Sequence, residues 1–167
     1  MIGVIIGDIV GSRFEWTNHR SKDFELFTPE YFATDDSIMT LAVGKALMSS
    51  KPDWSDLGDQ AVRCMQEVGR PYPNCGYGGR FWNWMYSDNP RPYRSFGNGA
   101  AMRVSACGFF AQDLNEAKKL SKAVTEVTHN HRKGLKGRKQ RLLRSIWRVP
   151  AVPRNRSVKL FTVSTTV

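Results

Sequence analysis

Thr34-Asp35-Asp36 sets two adjacent carboxylates and a hydroxyl immediately before an apolar stretch with helical spacing. Hard oxygen donors of this kind are what magnesium or manganese prefers. The same tripeptide suits a helix N-cap, because Thr and Asp accept hydrogen bonds from unpaired N–H groups and complement the positive end of the helix dipole. Residue type leaves both readings open. A further acid, Glu15, follows Gly7-Asp8-Ile9-Val10-Gly11-Ser12-Arg13-Phe14. It could orient a water or act as a general base; the plain alternative is a solvated loop acid.

Two glycine-rich segments come next, Gly76-Tyr77-Gly78-Gly79 and Ser95-Phe96-Gly97-Asn98-Gly99, the second running into Ala100-Ala101-Met102-Arg103. Glycine lets backbone amides come close to a phosphate, and a helix N-terminus following such a loop would stabilise a pyrophosphate. Each segment alone would serve equally as an ordinary turn. His129-Asn130-His131 could bind a metal, but the only other histidine is His19 and no thiol lies nearby. Substrate contact or helix termination is therefore preferred to zinc.

These residues need elements to hold them. Met1 to Ser12 is apolar with Gly3, Gly7 and Gly11 on one helical face, suggesting a helix packed through glycine, though composition equally allows a strand. Residues 13–34 read as an irregular loop containing Pro29. Helical spacing of Ile38, Met39, Leu41, Ala42, Leu47 and Met48 predicts a helix from Asp36 to Ser49. Ser55 or Asp56 would cap a second helix ending near Val68, and Gly69 to Gly79 must be loop. An aromatic helix at Phe81 to Tyr86 is stopped by Asn89-Pro90-Arg91-Pro92. A helix of small and apolar residues is expected from Ala100 to Ala111, and the capping box Asp113-x-x-Glu116 leads another to about Thr128. Helix follows helix without alternating strands, so the fold class is all-α.

Taken together and in this order, Gly-Asp-x-x-Gly-Ser-x-x-Glu, Thr-Asp-Asp-Ser-x-Met, Gly-Tyr-Gly-Gly, Gly-Asn-Gly-Ala-Ala-Met-Arg and Thr-His resemble the N-terminal part of the ADP-ribosylglycohydrolases, which include dinitrogenase reductase-activating glycohydrolase-like proteins. The likeness covers residues 1–137. It implies an all-α, magnesium-dependent hydrolase that cleaves an N- or O-glycosidic link between ADP-ribose and a protein or small molecule. By the same matching, Thr34, Asp35 and Asp36 supply half the ligands of two magnesium ions, and Glu15 lies beside the scissile bond. Gly76, Gly78 and Gly79 approach phosphates or ribose, Ser95, Gly97, Asn98, Gly99 and Met102 form the opposing wall, and His129 lies near the distal ribose.

The chain departs from that pattern at its end. The family carries an Asp-x-Asp-Thr motif near its C-terminus, whereas no aspartate follows Asp113 here. At most a partial magnesium site is expected, with activity impaired or lost; a non-catalytic ADP-ribose-binding module is the alternative. Residues 138–167 hold eight basic residues and no acid, while residues 1–137 balance to +2 of the total +10. This tail reads as a divergent segment, expected from a one-base change of frame that would otherwise encode a small-residue helix. Its rival reading is a basic arm that binds nucleic acid, a partner the near-neutral remainder of the chain argues against. Without the family's C-terminal half, apolar faces such as Ala100 to Ala111 are expected to be exposed.

Length and composition set the outer bounds. A chain of 167 residues with 41 % hydrophobic content can bury a single core. No apolar run approaches the roughly 20 residues that span a bilayer, and the N-terminus lacks the basic start of a secretory signal. Cys64, Cys75 and Cys107 are odd in number and widely spaced, as expected of reduced thiols in a cytoplasmic protein. The sequence leaves the oligomeric state open.

Overall fold

The computed structural model describes residues 1–17 and 19–130. His131 and the basic tail, with the frame-change and nucleic-acid readings attached to it, lie outside the described residues. Within them the chain is all-helical, with seven helices and no strand.

The apolar start resolves as helix α1, Ile2–Ser12. Its glycine face is open: a Cβ at Gly3, Gly7 or Gly11 would meet nothing within 4 Å among the described residues. The expected packing through glycine is thus not what joins α1 to its neighbour. The junction is made by Met1, whose Cε would lie 2.9 Å from a Cβ on Gly44, and by the carboxylate of Asp8.

Helix α2, Asp35–Ser49, is the centre of the fold. Ile38, Met39, Ala42, Val43, Ala46 and Leu47 are buried, as are Ser37, Thr40 and Gly44 between them. A helix buried on most of its circumference must be covered by several partners, and α2 packs most extensively on α3, then on α6, α1 and α5. Leu41 and Met48, which the helical spacing counted as core, sit on the remaining outer face and are exposed.

Helix α3, Leu57–Gly69, buries Leu57, Ala61, Cys64 and Met65 on one stripe. The residue before it is Asp56, as expected, yet the Asp56 carboxylate accepts from the Lys51 N–H and the Gln60 amide rather than from the first turn of the helix. At the other end Gly69 is where α3 crosses two methionines. A Cβ there would lie 2.5 Å from Met85 Sδ and 3.0 Å from Met39 Cε. Gly69→Ala is therefore expected to destabilise the protein by about 1–3 kcal/mol through overpacking. Urea denaturation measures this, and a loss under about 0.5 kcal/mol would mean that the methionines swing aside at little cost.

The aromatic helix α4 spans Gly79–Tyr86. The single helix expected over Ala100 to Ala111 is instead two, α5 at Gly99–Met102 and α6 at Ser105–Phe110. Between them Arg103 (φ −89°, ψ −5°) and Val104 (φ −84°, ψ −4°) leave the helical well for the bridge region. Small apolar residues on both sides hide this break in the sequence; the physical difference is Arg103, whose guanidinium is turned into the core. The expected exposure of this segment is also not found, since Met102 to Cys107 are all buried. The outward apolar side chains are elsewhere, including Ile2 and Ile6 on α1.

Helix α7, Leu114–Glu126, begins as the capping box requires, with Asp113 Oδ1 accepting from the N–H groups of Asn115 (2.7 Å) and Glu116 (2.8 Å). Glu116 closes the box one residue early. Its Oε2 accepts from the Gln112 N–H (2.6 Å), and its Oε1 from Trp54 Nε1 (2.9 Å), which ties α7 to the turn before α3.

Candidate functional site

The N-terminus of α2 is the most heavily bonded point of the site. Thr34 is its N-cap, with the hydroxyl oxygen accepting from the Asp36 N–H at 3.2 Å. The same hydroxyl donates to Asp8 Oδ1 at 2.5 Å, and the Thr34 N–H donates to Asp8 Oδ2 at 3.0 Å. Ser37 adds two more donors to Oδ2, its hydroxyl at 2.5 Å and its N–H at 3.3 Å. Asp8 on α1 is thus a carboxylate with four donors, clamped to the positive end of α2.

This clamp determines where Asp35 goes. Its N–H donates to the Cys75 carbonyl at 2.8 Å, and the chain then turns through Gly76 at φ +100°, a conformation glycine adopts without strain. Burial first, then the charges of Asp36, Glu15 and Asp8, push the Asp35 carboxyl up to about 7. Like charges this close disfavour ionising one another. A proton or a cation would relieve the cluster.

Beside Asp35 lies a cleft of about 360 Å³. Gly78 and Gly79 line one wall; Ser95, Gly97, Asn98, Gly99 and Met102 line another, and His129 is also part of the lining. Helix α4 starts at Gly79 with no side-chain cap, so its first-turn amides are suited to a ligand oxygen. The helix expected to follow Asn98 is a single turn, too short for a sizeable dipole. In the loop before it, the Ser95 and Gly97 N–H groups are already bonded, to the Thr128 carbonyl and to Ser95 Oγ.

His129 is 2 % exposed. Its Nε2 lies 3.1 Å from the Gly97 carbonyl and its Nδ1 2.8 Å from Thr128 Oγ1. A carbonyl can only accept, so Nε2 carries the proton and Nδ1 of the neutral ring accepts from the Thr128 hydroxyl. Burial, and next the Arg103 guanidinium, lower the His129 pKa to about 4, which keeps the ring neutral. Both nitrogens thus have partners within the protein.

The cleft therefore collects Asp35, Gly78, Gly79, Ser95, Gly97, Asn98, Gly99, Met102 and His129. Glu15, Thr34, Asp36 and Gly76 do not line it. Glu15 is exposed yet near enough to act on Asp35, Thr34 is buried in the cap, Asp36 is half-buried, and Gly76 lies beneath Asp35. Arg80, Phe81, Tyr93, Phe96 and Arg103 complete the lining and were not singled out as site residues from the sequence. Arg80, Phe96 and Arg103 adjoin or fall within the glycine motifs, a signal that could have found them; Tyr93 carries none without the fold.

Thr34, Asp35 and Asp36 offer the hard oxygen donors magnesium takes. However, the described residues contain no group of three or more His, Cys, Asp or Glu side chains able to hold a metal ion. By themselves these residues do not complete a magnesium site.

No helix among the described residues is long and apolar enough to cross a membrane. Comparison with known proteins gives an ADP-ribosylhydrolase ARH3 from Gallus gallus that is 32 % identical over 118 residues, covering 62 % of this chain and 31 % of that protein. The chain thus spans about a third of the length of the curated relative it matches. The family model described as ADP-ribosylglycohydrolase matches residues 1–138. That stretch contains every cleft residue, and with an all-helical fold arranged around them the chain belongs to the ADP-ribosylglycohydrolase family.

Proposed function

We propose that the cleft binds ADP-ribose, and that the chain carries the substrate-recognising part of a hydrolase acting on the glycosidic link between ADP-ribose and a modified protein or small molecule. The observation that carries this reading is the convergence of Gly78-Gly79 and Ser95–Gly99 on one cleft beside Asp35. Amides from two glycine segments can meet phosphate or ribose oxygens at close range. Met102 supplies an apolar surface, and His129, neutral and anchored, lies toward the distal ribose.

In the hydrolysis, water adds to C1 of the ribose, the bond to nitrogen or oxygen of the target breaks, and a proton passes to the departing atom. Glu15, whose charge reaches Asp35, would orient that water. Magnesium, held in part by Thr34, Asp35 and Asp36, would supply positive charge at the ribose hydroxyls. The described residues furnish too few convergent carboxylates to retain two ions, so turnover by this chain is expected to be low or absent. Recognition without cleavage is accordingly the second reading. Three free, buried cysteines suit the reducing cytoplasm.

The test is thermal unfolding of the full chain with and without ADP-ribose, each in magnesium or EDTA. A ligand-induced rise that requires magnesium supports a partial hydrolase site. An equal rise in EDTA favours the binding module. No rise in either condition at millimolar ADP-ribose would overturn the assignment of the cleft.

A further inference from the structure

Arg103 is 1 % exposed, and no carboxylate among the described residues forms an ion pair with it. Its Nη2 donates to the Val124 carbonyl at 3.1 Å and to Thr128 Oγ1 at 2.6 Å. The first bond is structural: a cation at the C-terminal turn of α7 satisfies a carbonyl there and complements the dipole. The second leads elsewhere. With its oxygen held by Arg103, the Thr128 hydroxyl has two acceptors in reach, His129 Nδ1 at 2.8 Å and the Thr125 carbonyl at 3.4 Å, and the nearer is the imidazole; His129 Nε2–H reaches the Gly97 carbonyl.

Three further contacts bind the loop to the same support. The Ser95 N–H donates to the Thr128 carbonyl at 3.2 Å, and the Gly97 N–H to Ser95 Oγ at 3.3 Å. Gly99 faces the imidazole so closely that a Cβ would lie 3.3 Å from Cε1. The whole Ser95–Gly99 wall therefore rests on the Thr128-His129 step, and that step rests on a buried guanidinium.

We propose that Arg103 and Thr128 are positioning residues: the guanidinium sets the Thr128 hydroxyl, the hydroxyl sets the His129 ring, and the ring sets the Gly97 carbonyl and with it the Ser95–Gly99 loop that lines the cleft. The consequence for binding rests on the reading of the cleft as an ADP-ribose site. The relay itself is a property of the fold.

Thr128→Val cuts the relay while leaving the Arg103–Val124 bond in place, and Thr128→Ser restores the hydroxyl. Amide hydrogen exchange and ADP-ribose calorimetry on the full chain, for wild type and both variants, separate positioning from mere stability. In Thr128→Val the Ser95 and Gly97 amides are expected to exchange about tenfold faster relative to α3 amides, and ADP-ribose to bind about tenfold more weakly, as for loss of one buried hydrogen bond. Thr128→Ser should return both toward wild type.

Uniform acceleration of all amides, unaltered loop exchange, or failure of Thr128→Ser to rescue would overturn the relay. A loosened loop with unchanged affinity would overturn its role in binding. A wild-type chain that binds no ADP-ribose would overturn the proposed function and the binding role with it, leaving the relay to be decided by the loop amides alone.

Discussion

Asp8→Ala is expected to destabilise the protein by about 3 kcal/mol, as for removal of a charged acceptor that holds several partly buried donors. Four donors converge on this carboxylate, from the N–H and hydroxyl groups of Thr34 and Ser37. Without it the Thr34 hydroxyl loses its acceptor, and the charge that complements the N-terminus of α2 disappears. The damage should concentrate at the site, because Thr34 orients Asp35 and Asp36. Chemical denaturation measures the stability, and hydrogen exchange at Thr34 and Ser37 reports the local effect. A loss below about 1 kcal/mol would show that water replaces the carboxylate adequately and that α1 is not the clamp.

Asp35→Asn is expected to act in the opposite direction at alkaline pH. Asp35 has a folded-state pKa of about 7, raised above the ordinary 3.8 by burial and by Asp36, Glu15 and Asp8. The folded state therefore holds a proton that the unfolded chain has already released. The stability this contributes is complete below pH 3.8 and is lost as pH rises through about 7. Asparagine does not titrate. The variant should gain on wild type as pH rises, reaching roughly 1–2 kcal/mol at pH 8 after allowance for solvent screening of a half-buried group.

Neutral, buried His129 gives the opposite slope below its ordinary pKa, but it titrates in both proteins and cancels in the comparison. Melting curves at pH 4.5, 6 and 8 provide the test. A difference between variant and wild type that does not change with pH would remove the case for a strained carboxylate. Magnesium added at pH 8 should narrow the gap if the acidic cluster attracts the cation, by stabilising wild type alone.

The helical fold was legible because helix formation follows local rules. Spacing of apolar residues marked α2, Ser55-Asp56 marked the start of α3, the capping box marked α7, and Asn89-Pro90-Arg91-Pro92 marked the end of α4. Thr34 as an N-cap was legible for the same reason, since the bond it makes lies two residues away. The glycine segments were readable as loops capable of meeting a ligand.

The remaining features depend on partners far along the chain. Asp8 has no distinction within its own helix; its role arises from donors 26 and 29 residues onward. The break at Arg103 and Val104 interrupts a run of small residues that any local rule extends, and the partners of the buried Arg103 guanidinium, Val124 and Thr128, lie 21 and 25 positions away. Leu41 and Met48 fit the helical period yet face outward, since the period identifies a stripe without saying which stripe a neighbour covers.

By itself, then, the sequence determined the helical class, the Thr34 and Asp113 caps, the glycine loops and the family, all of which rest on neighbouring residues or on motif order. Only the tertiary structure decided that Asp8 holds Thr34 and Ser37, that Arg103 reaches Thr128 beside His129, and that Glu15 is outside the cleft lining yet near enough to act on Asp35. The reason is physical: burial, desolvation and long-range hydrogen bonds exist only once the helices have packed.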